Sequence, residues 1–300
     1  MRILLTGASG QVGWELARSL MPLGEVIVPA RERCDLARPE TLAALVAETG
    51  PTAIVNAAAY TAVDRAESEE ALARRINAEA VAELAAAARR AGALLVHYST
   101  DYVFDGSKPA AYVEDDPVAP LNAYGRSKLA GEQAIAASGC DHLIFRTTWV
   151  YAARGANFLL TMLRLGAERD VLRVVADQFG APTWARNIAD ASALALAQAV
   201  RERAAGHFRS GLFHLAGGGE TSWHGFAEEI FAQVRARRPD LALRVGAVEA
   251  IPSTAYPTPA ARPLNSRLDQ RAVAERFGIV MPCWRAALGR CLDELGGGRR

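Results

Sequence analysis

The chain has 300 residues, room for about two domains at roughly 150 residues each. Hydrophobic residues make up 51% of it and charged residues 22%, which excludes an intrinsically disordered chain. Its 34 basic and 33 acidic side chains nearly cancel, so no broad positive field exists to gather nucleic acid or an anionic membrane. Short apolar runs bounded by turn residues predict strands at 3–6, 26–28, 53–56, 94–98 and 143–146. Helix-like stretches lie between them at 12–20, 39–49, 69–90 and 124–137. Thr61-Ala-Val-Asp64 has the form of a capping box ahead of the third helix. Strands that are apolar on both faces and alternate with helices predict an α/β fold, a doubly wound parallel sheet covered on both sides. Beyond residue 151 strands are expected at 172–176 and 212–215, and helices at 188–204 and 223–237. Residues 251–267 carry Pro252, Pro257, Pro259 and Pro263 and read as a long ordered loop. Residues 296–300 read as a frayed tail.

No stretch suits a membrane span: residues 191–200 are too few and follow Asp190 directly. No signal-peptide core can be separated from the opening MRILLTG. Cys34, Cys140, Cys283 and Cys291 form no C-x-x-C pair, so reduced thiols and a cytoplasmic location are expected. His97, His142, His207, His214 and His224 have no metal-ligand spacing and read as structural.

Thr6-Gly7-Ala8-Ser9-Gly10-Gln11-Val12-Gly13 ends the first strand and opens the first helix. Gly7 permits the tight turn, Gly10 a close approach to a pyrophosphate, and Gly13 the packing of helix on sheet. The helix N-terminus supplies free N–H groups and partial positive charge for phosphate oxygens. The first gap is one residue longer than in the usual dinucleotide fingerprint. The second strand ends Pro29-Ala30-Arg31-Glu32-Arg33, with no carboxylate placed for the 2′-hydroxyl of NAD. Arg31 and Arg33 suit a 2′-phosphate instead, so NADPH is expected, with NADH the lesser alternative. Asp35, with Leu36 beside it, is placed to bond the adenine amine. The expected division is a Rossmann-like cofactor domain from 1–150 plus returning segments near 171–177 and 188–216. A smaller α/β substrate domain takes about 151–170, 178–187 and 217–300.

Tyr124 and Lys128 lie four apart on a predicted helix and share a face. A nearby ammonium favours the phenolate, so Lys128 would lower the pKa of Tyr124 and could also hold ribose hydroxyls. Such a pair alone is common on exposed helices. Ser99-Thr100-Asp101, however, ends the fourth strand, where open α/β sheets place their sites. Thr100 offers a hydroxyl to a substrate carbonyl; Ser99, on the opposite strand face, is counted with the cofactor. Asn77 serves either a proton relay or a backbone tie.

These motifs together resemble the extended short-chain dehydrogenase/reductases, and most closely the dTDP-4-dehydrorhamnose reductase family. The resemblance is carried by Gly10-Gln-Val-Gly-Trp-Glu-Leu16, Val55-Asn-Ala-Ala-Ala-Tyr-Thr-Ala-Val-Asp64 and His97-Tyr-Ser-Thr-Asp-Tyr-Val-Phe104. It continues through Phe145-Arg-Thr-Thr-Trp-Val-Tyr151, Asp177-Gln-Phe-Gly-Ala-Pro-Thr183, Tyr256-Pro-Thr-Pro-Ala260 and Arg262-Pro-Leu-Asn-Ser-Arg-Leu268, nearly the whole chain. It implies hydride transfer from NADPH to C4 of a dTDP-linked 4-keto sugar, with Tyr124 as proton donor. Thr100 would polarise the carbonyl, and Lys128 would tune Tyr124 and anchor the cofactor. Gly10, Gln11 and Val12 would line the pyrophosphate, and Ala59, Tyr60 and Thr61 the rest of the cofactor. Asp101, Trp149, Arg262 and Asn265 would contact the substrate, with Arg267 nearby in the same loop.

The resemblance also allows a homodimer, bridged in some members by a divalent cation such as Mg²⁺ on glutamates. Glu15 matches one such position, but Arg186 stands where another glutamate is expected, which counts against a metal bridge. Two competing expectations are a non-catalytic NADP-binding subunit, like the methionine adenosyltransferase regulatory subunits, and a reductase or epimerase of another nucleotide-linked sugar. The intact Thr100, Tyr124 and Lys128 argue against the first. The Ser-Thr-Asp and Arg-Pro-Leu-Asn-Ser-Arg strings argue against the second. The product would feed cell-surface polysaccharide, including the O-antigen of lipopolysaccharide.

Overall fold

The structure is a computed structural model that describes residues 1–295; the tail expected at 296–300 lies outside the described residues. Strands β1 (Arg2–Thr6), β2 (Glu25–Ile27), β3 (Ala53–Asn56), β4 (Leu94–Thr100) and β5 (His142–Thr147) alternate with helices. These are α1 (Gln11–Ser19), α2 (Leu42–Thr49), α3 (Val63–Ala66), α4 (Glu70–Arg74), α5 (Ala80–Ala91) and α6 (Ala123–Ser138). The chain continues through β6 (Val150–Tyr151), α7 (Phe158–Glu168), β7 (Val171–Val175), β8 (Phe179–Gly180), β9 (Thr183–Trp184), α8 (Ala185–Ala204) and β10 (Gly211–His214). It ends with β11 (Thr221–Ser222), α9 (Trp223–Arg237), β12 (Ala247–Ile251), α10 (Arg271–Phe277) and α11 (Trp284–Glu294).

Six parallel strands pair in the order β10-β5-β4-β3-β1-β2. The order reverses between β1 and β3, so a crevice opens beyond their C-terminal ends, which is where such sheets bind ligands. One sheet face is covered by α1 and α8 through Leu16, Ile188 and Leu196; the other by α2, α5 and α6 through Leu45, Leu84 and Ile135. Every residue of β3 and β4 is buried, as a strand covered on both faces requires.

A second core gathers Phe226, Phe231, Trp284 and Leu288 beneath α7, α9 and α11. It also claims β7, which corrects the expected return of residues 171–177 to the main sheet. β7 pairs with β12, from Ala247 opposite Val171 to Ile251 opposite Val175. The physical reason is one-sidedness: Leu172 and Val174 are buried whereas Val171 and Arg173 are exposed, a pattern for a strand covered on one face only. β12 itself was missed, because only Ile251 of its five residues is buried.

Two local differences matter for the site. The expected 69–90 helix is continuous from residue 70 but widens into a π turn over Arg75–Glu79. Asn77, at its centre, accepts from the Tyr60 amide (2.9 Å) and donates to the Tyr60 carbonyl (3.0 Å) and to Ser127 Oγ (2.9 Å). It is thus the backbone tie of the two roles considered. The Thr61–Asp64 capping box does not form: α3 starts at Val63 with Ala62 at its N-cap. Asp64 turns instead to Arg262. Among the described residues no helix is long and apolar enough to cross a membrane.

Candidate active site

A cleft of about 960 Å³ opens at the β1/β3 crevice and runs to the second core. It is lined by the glycine turn, Arg31, Asp35, Leu36, Ala59, Thr61, Ser99, Thr100, Asp101, Tyr124, Lys128 and Trp149, among others. Most of the expected site residues are therefore brought together in one place.

The cofactor end is built by backbone. Gly7 has φ +73°, and a Cβ there would come within 2.5 Å of the Ala58 nitrogen. A Cβ on Gly13 would meet the Gly7 carbonyl oxygen at 2.0 Å. Gly13 therefore lets α1 close onto the glycine turn itself, rather than onto the sheet as expected. Gly10 caps α1 with no side-chain hydrogen bond and no acidic residue in the first turn. The free N–H groups there, with the helix dipole, suit a diphosphate. Arg31 lines the cleft and makes no ion pair among the described residues. Arg33 corrects its expectation: it turns away to Glu48 at 2.5 Å. Asp35 lines the cleft while accepting from the Ala37 amide at 3.0 Å. Only the backbone of Tyr60 is held near the site; its hydroxyl donates to Glu69 at 2.6 Å, outside the cleft lining.

The reactive end joins β4 to α6. Thr100 is the last residue of β4 and caps the turn that follows, its Oγ1 accepting from the Tyr102 amide at 3.1 Å. Asn122 caps α6 by accepting from the Gly125 amide (2.8 Å) and donates to the Ala261 carbonyl (2.8 Å), which fixes the turn bearing Tyr124. Gly125 and Gly131 let α6 lie close, since a Cβ would meet the Tyr102 oxygen or the Asn77 oxygen at 2.2 Å. Lys128 is 1% exposed; its Nζ donates to the Tyr98 carbonyl at 2.6 Å and lies 3.1 Å from His97 Nε2.

These surroundings set the protonation of the pair. Burial, then the charge of Asp101, push the Tyr124 phenol up from its ordinary value, against a smaller opposing pull from the Thr100 hydroxyl. Burial meanwhile pulls Lys128 down to about 8, with Glu132 pulling the other way. In the ligand-free protein dehydration dominates both groups. Burial also lifts Asp101 to about 6. Ser99 Oγ, Thr147 Oγ1, Thr148 Oγ1 and one Asp101 oxygen are buried at the cleft without partners among the described residues, the donors and acceptors that a polar ligand would satisfy.

Trp149 adopts φ +47° and stacks on Trp223, with ring centroids 3.6 Å apart and planes 12° from parallel. Both rings line the cleft. Trp223 was not counted among the site residues, nor was Arg154, whose guanidinium lies 3.5 Å from the Trp14 ring centroid at the glycine-turn end. Neither carries a spacing signal, because each reaches the cleft through contacts distant in sequence.

Arg262 and Asn265 are not cleft residues, correcting their expected substrate contacts. Arg262 grips Asp64 through both carboxylate oxygens (3.1 and 2.8 Å), and its charge neighbours Tyr102. Asn265 donates to the Lys108 and Ala110 carbonyls and accepts from the Arg267 amide and Nε, so no polar capacity is left. Arg267 reaches Glu220 and the Pro109 carbonyl. Glu15 is buried against Arg186 (2.9 Å) and Arg18 (3.4 Å), so the arginine that replaces the expected glutamate ties α1 to α8. Among the described residues no cluster of three His, Cys, Asp or Glu is arranged to hold a metal.

The RmlD substrate binding domain family model matches residues 1–296. A dTDP-4-dehydrorhamnose reductase of Burkholderia thailandensis is 60% identical over 98% of this chain and 99% of its own. Two solved structures of enzymes with that name are also similar. One, from Clostridium acetobutylicum, has a TM-score of 0.88 at 36% identity, covering 98% of this chain and 99% of its own. The other, from Bacillus anthracis in complex with NADP, has a TM-score of 0.87 at 34% identity with the same coverage. A glycine turn, a Thr-Tyr-Lys set in one cleft and full-length similarity of this kind have one reading: the chain belongs to the dTDP-4-dehydrorhamnose reductase family.

Proposed function

We propose that this chain reduces the C4 keto group of dTDP-4-dehydro-L-rhamnose with NADPH, giving dTDP-L-rhamnose, the last step in making that nucleotide sugar. The observation that carries the reading is the convergence of Thr100, Tyr124 and Lys128 with an uncapped, glycine-lined helix start in one cleft. The relatives' names and the NADP complex of the B. anthracis enzyme support substrate and cofactor. The site fits the cofactor: a cradle that admits no Cβ, free N–H groups and the unpaired Arg31 suit a dinucleotide with a 2′-phosphate.

Reduction adds a hydride at C4 and a proton at its oxygen, and NADPH supplies the hydride when bound. The residues do the rest. The start of α1 and Arg31 hold the phosphates, and Lys128 holds the ribose. Thr100 and Tyr124 bind the keto oxygen and so fix the carbonyl in place for attack. Because burial keeps the Tyr124 phenol protonated, it waits as the acid that a reductase needs. Its proton goes to the nascent C4 oxygen, and the phenolate left behind is reprotonated by way of Lys128. The stacked Trp149 and Trp223 present an aromatic wall to the sugar nucleotide. A cytoplasmic location and a homodimer without a bridging metal complete the proposal.

The test is direct. Purified protein with the 4-keto sugar nucleotide and NADPH should lose the absorbance of reduced cofactor. Tyr124→Phe should lower kcat by about 10²–10⁴-fold while leaving NADPH affinity nearly unchanged. Turnover equal to that of the parent would remove Tyr124 from the mechanism.

A further inference from the structure

A short strap of chain lies against the glycine turn and carries a cation that the reduction step does not use. Residues 152–157 leave β6 and enter α7, whose Leu159 and Met162 lie in the second core. The other side of the strap is tied to α1. Asn157 caps α7 by accepting from the Leu160 amide at 3.1 Å. That leaves its Nδ2 to donate to Gln11 Oε1 at 2.8 Å and to the Ala152 carbonyl at 2.9 Å. Gly155 turns the strap with φ +76°, and a Cβ there would come within 3.2 Å of Gln11 Cγ. Arg154 is thereby delivered to the start of α1, where it lines the cleft.

Its guanidinium carbon lies 3.5 Å from the centroid of the Trp14 ring. Trp14 is the fourth residue of α1 and is half-exposed, so it fills no core. At that distance the guanidinium rests flat on the indole, because an edge-on approach would put N–H groups between them and hold the carbon farther off. Stacking occupies the face of the guanidinium and leaves its edge, where the N–H donors are, free. Among the described residues those donors have no hydrogen-bond or ion-pair partner.

Among the described residues three cationic side chains line the cleft: Arg31, Lys128 and Arg154. Arg31 follows β2 and suits the 2′-phosphate, and Lys128 donates to the Tyr98 carbonyl at the reactive end. Neither serves the α1 start, where a diphosphate would lie. The helix start itself offers only about half an elementary charge, against the full charges of a diphosphate. The two carboxylates of the lining do not compete for Arg154: Asp35 accepts from the Ala37 amide and Asp101 from the Thr100 hydroxyl.

We propose that Arg154 is a cofactor-binding residue: stacked on Trp14, it holds the diphosphate of the dinucleotide against the α1 start and supplies affinity that NADPH and NADH share, while Arg31 supplies the difference between them. The inference rests on the reading of the glycine turn as a dinucleotide site. The dinucleotide's diphosphate is favoured over that of the sugar nucleotide because the partners of the strap, Gln11 and Trp14, both belong to the helix that the glycine turn opens. Trp14 is a positioning residue that acts through Arg154. The stack fixes the guanidinium before the ligand arrives, so less side-chain freedom is lost on binding.

Calorimetric titration of the ligand-free protein with NADPH and with NADH reads this without substrate or turnover. Arg154→Ala should weaken both cofactors by the same factor, about tenfold, and Arg154→Lys by less. Arg154→Glu should weaken both by about 100-fold, because charge rather than bulk is at stake. In Arg154→Ala both affinities should also depend less steeply on salt, as follows from losing an ionic contact and not from a disturbed loop. Trp14→Leu should weaken both cofactors about threefold, and Trp14→Phe, which keeps a ring under the guanidinium, should restore most of the loss. Titration with dTDP probes the other diphosphate, and its affinity should be the same in Arg154→Ala as in wild type. A folded Arg154→Glu protein that binds both cofactors as tightly as wild type would overturn the proposal. So would weakening of NADPH alone, or of dTDP with both cofactors unchanged. Wild-type protein that bound neither cofactor would remove the dinucleotide reading itself, and this inference with it.

Discussion

Single atoms decide the cofactor end of the cleft. Adding one methyl at Gly13 would put a carbon 2.0 Å from the Gly7 oxygen and force α1 away from the turn. Gly13→Ala should therefore cost about 1–3 kcal/mol of stability, read as a lower urea midpoint, and weaken NADPH binding at the same time. A variant with parental stability and affinity would show that the turn can yield. Arg31 tests cofactor choice at the same scale. Glu48 holds Arg33, so of the two arginines only Arg31 is turned to the cleft. Arg31→Ala should weaken NADPH binding by about tenfold while leaving NADH binding nearly unchanged, the loss expected for one charge-assisted phosphate contact. Equal weakening of both cofactors would place the role of Arg31 elsewhere than the 2′-phosphate.

Elements deliver what residues alone cannot. The short β11 ends where α9 begins, so Trp223 is carried on a helix start to the face of Trp149. Gly180 gives the Trp149 ring its room, as a Cβ there would come within 2.7 Å of the indole. Trp223→Ala should raise the KM for the sugar nucleotide by about tenfold, in line with the loss of one aromatic contact, and leave the NADPH affinity unchanged. A change in NADPH affinity instead would assign the stack to the cofactor. The Trp223 half of this wall was hidden from sequence reading, whereas the glycine turn and the Tyr124/Lys128 pair were not. The legible features rest on spacings of three or four residues, which one turn or one helix face fixes. The misplaced ones depend on partners far along the chain. Arg262 and Asn265 carry the right chemistry for a phosphate or sugar, yet Asp64 and two loop carbonyls already use it. β7 was legible as a strand, but its pairing with β12 was not, because β12 is short, interrupted by Glu249 and buries only Ile251.

Over the whole molecule, buried bases make stability depend on pH in one direction. An unfolded lysine keeps its proton up to about 10.5, while Lys128 in the folded protein releases it at about 8. Between those values the unfolded chain binds the extra proton, so the folded state gains stability as pH rises through the window; below it the full penalty applies. His214, pulled by burial to about 3 from 6.5, acts with the same sign on the acid side. Asp101, lifted to about 6 from 3.8, opposes it there, losing stability as pH rises between those values. In the alkaline window Cys34, Cys291 and the buried tyrosines, all raised by burial, act with the opposite sign, so it is the comparison with a Lys128 variant that isolates Lys128. Lys128→Met removes the titration and also the donor to the Tyr98 carbonyl, a fixed cost of about 1–3 kcal/mol at every pH. The pH-dependent part is separate: wild type should gain on the variant by about 3 kcal/mol between the two ends of the window, one pKa unit being worth about 1.4 kcal/mol. Urea unfolding of both proteins at neutral pH and near the alkaline end reads that difference, with the loss of activity in the variant as an internal check. If the gap between the two proteins stayed flat, Lys128 would be holding its proton as an exposed lysine does, and its burial would carry no electrostatic cost.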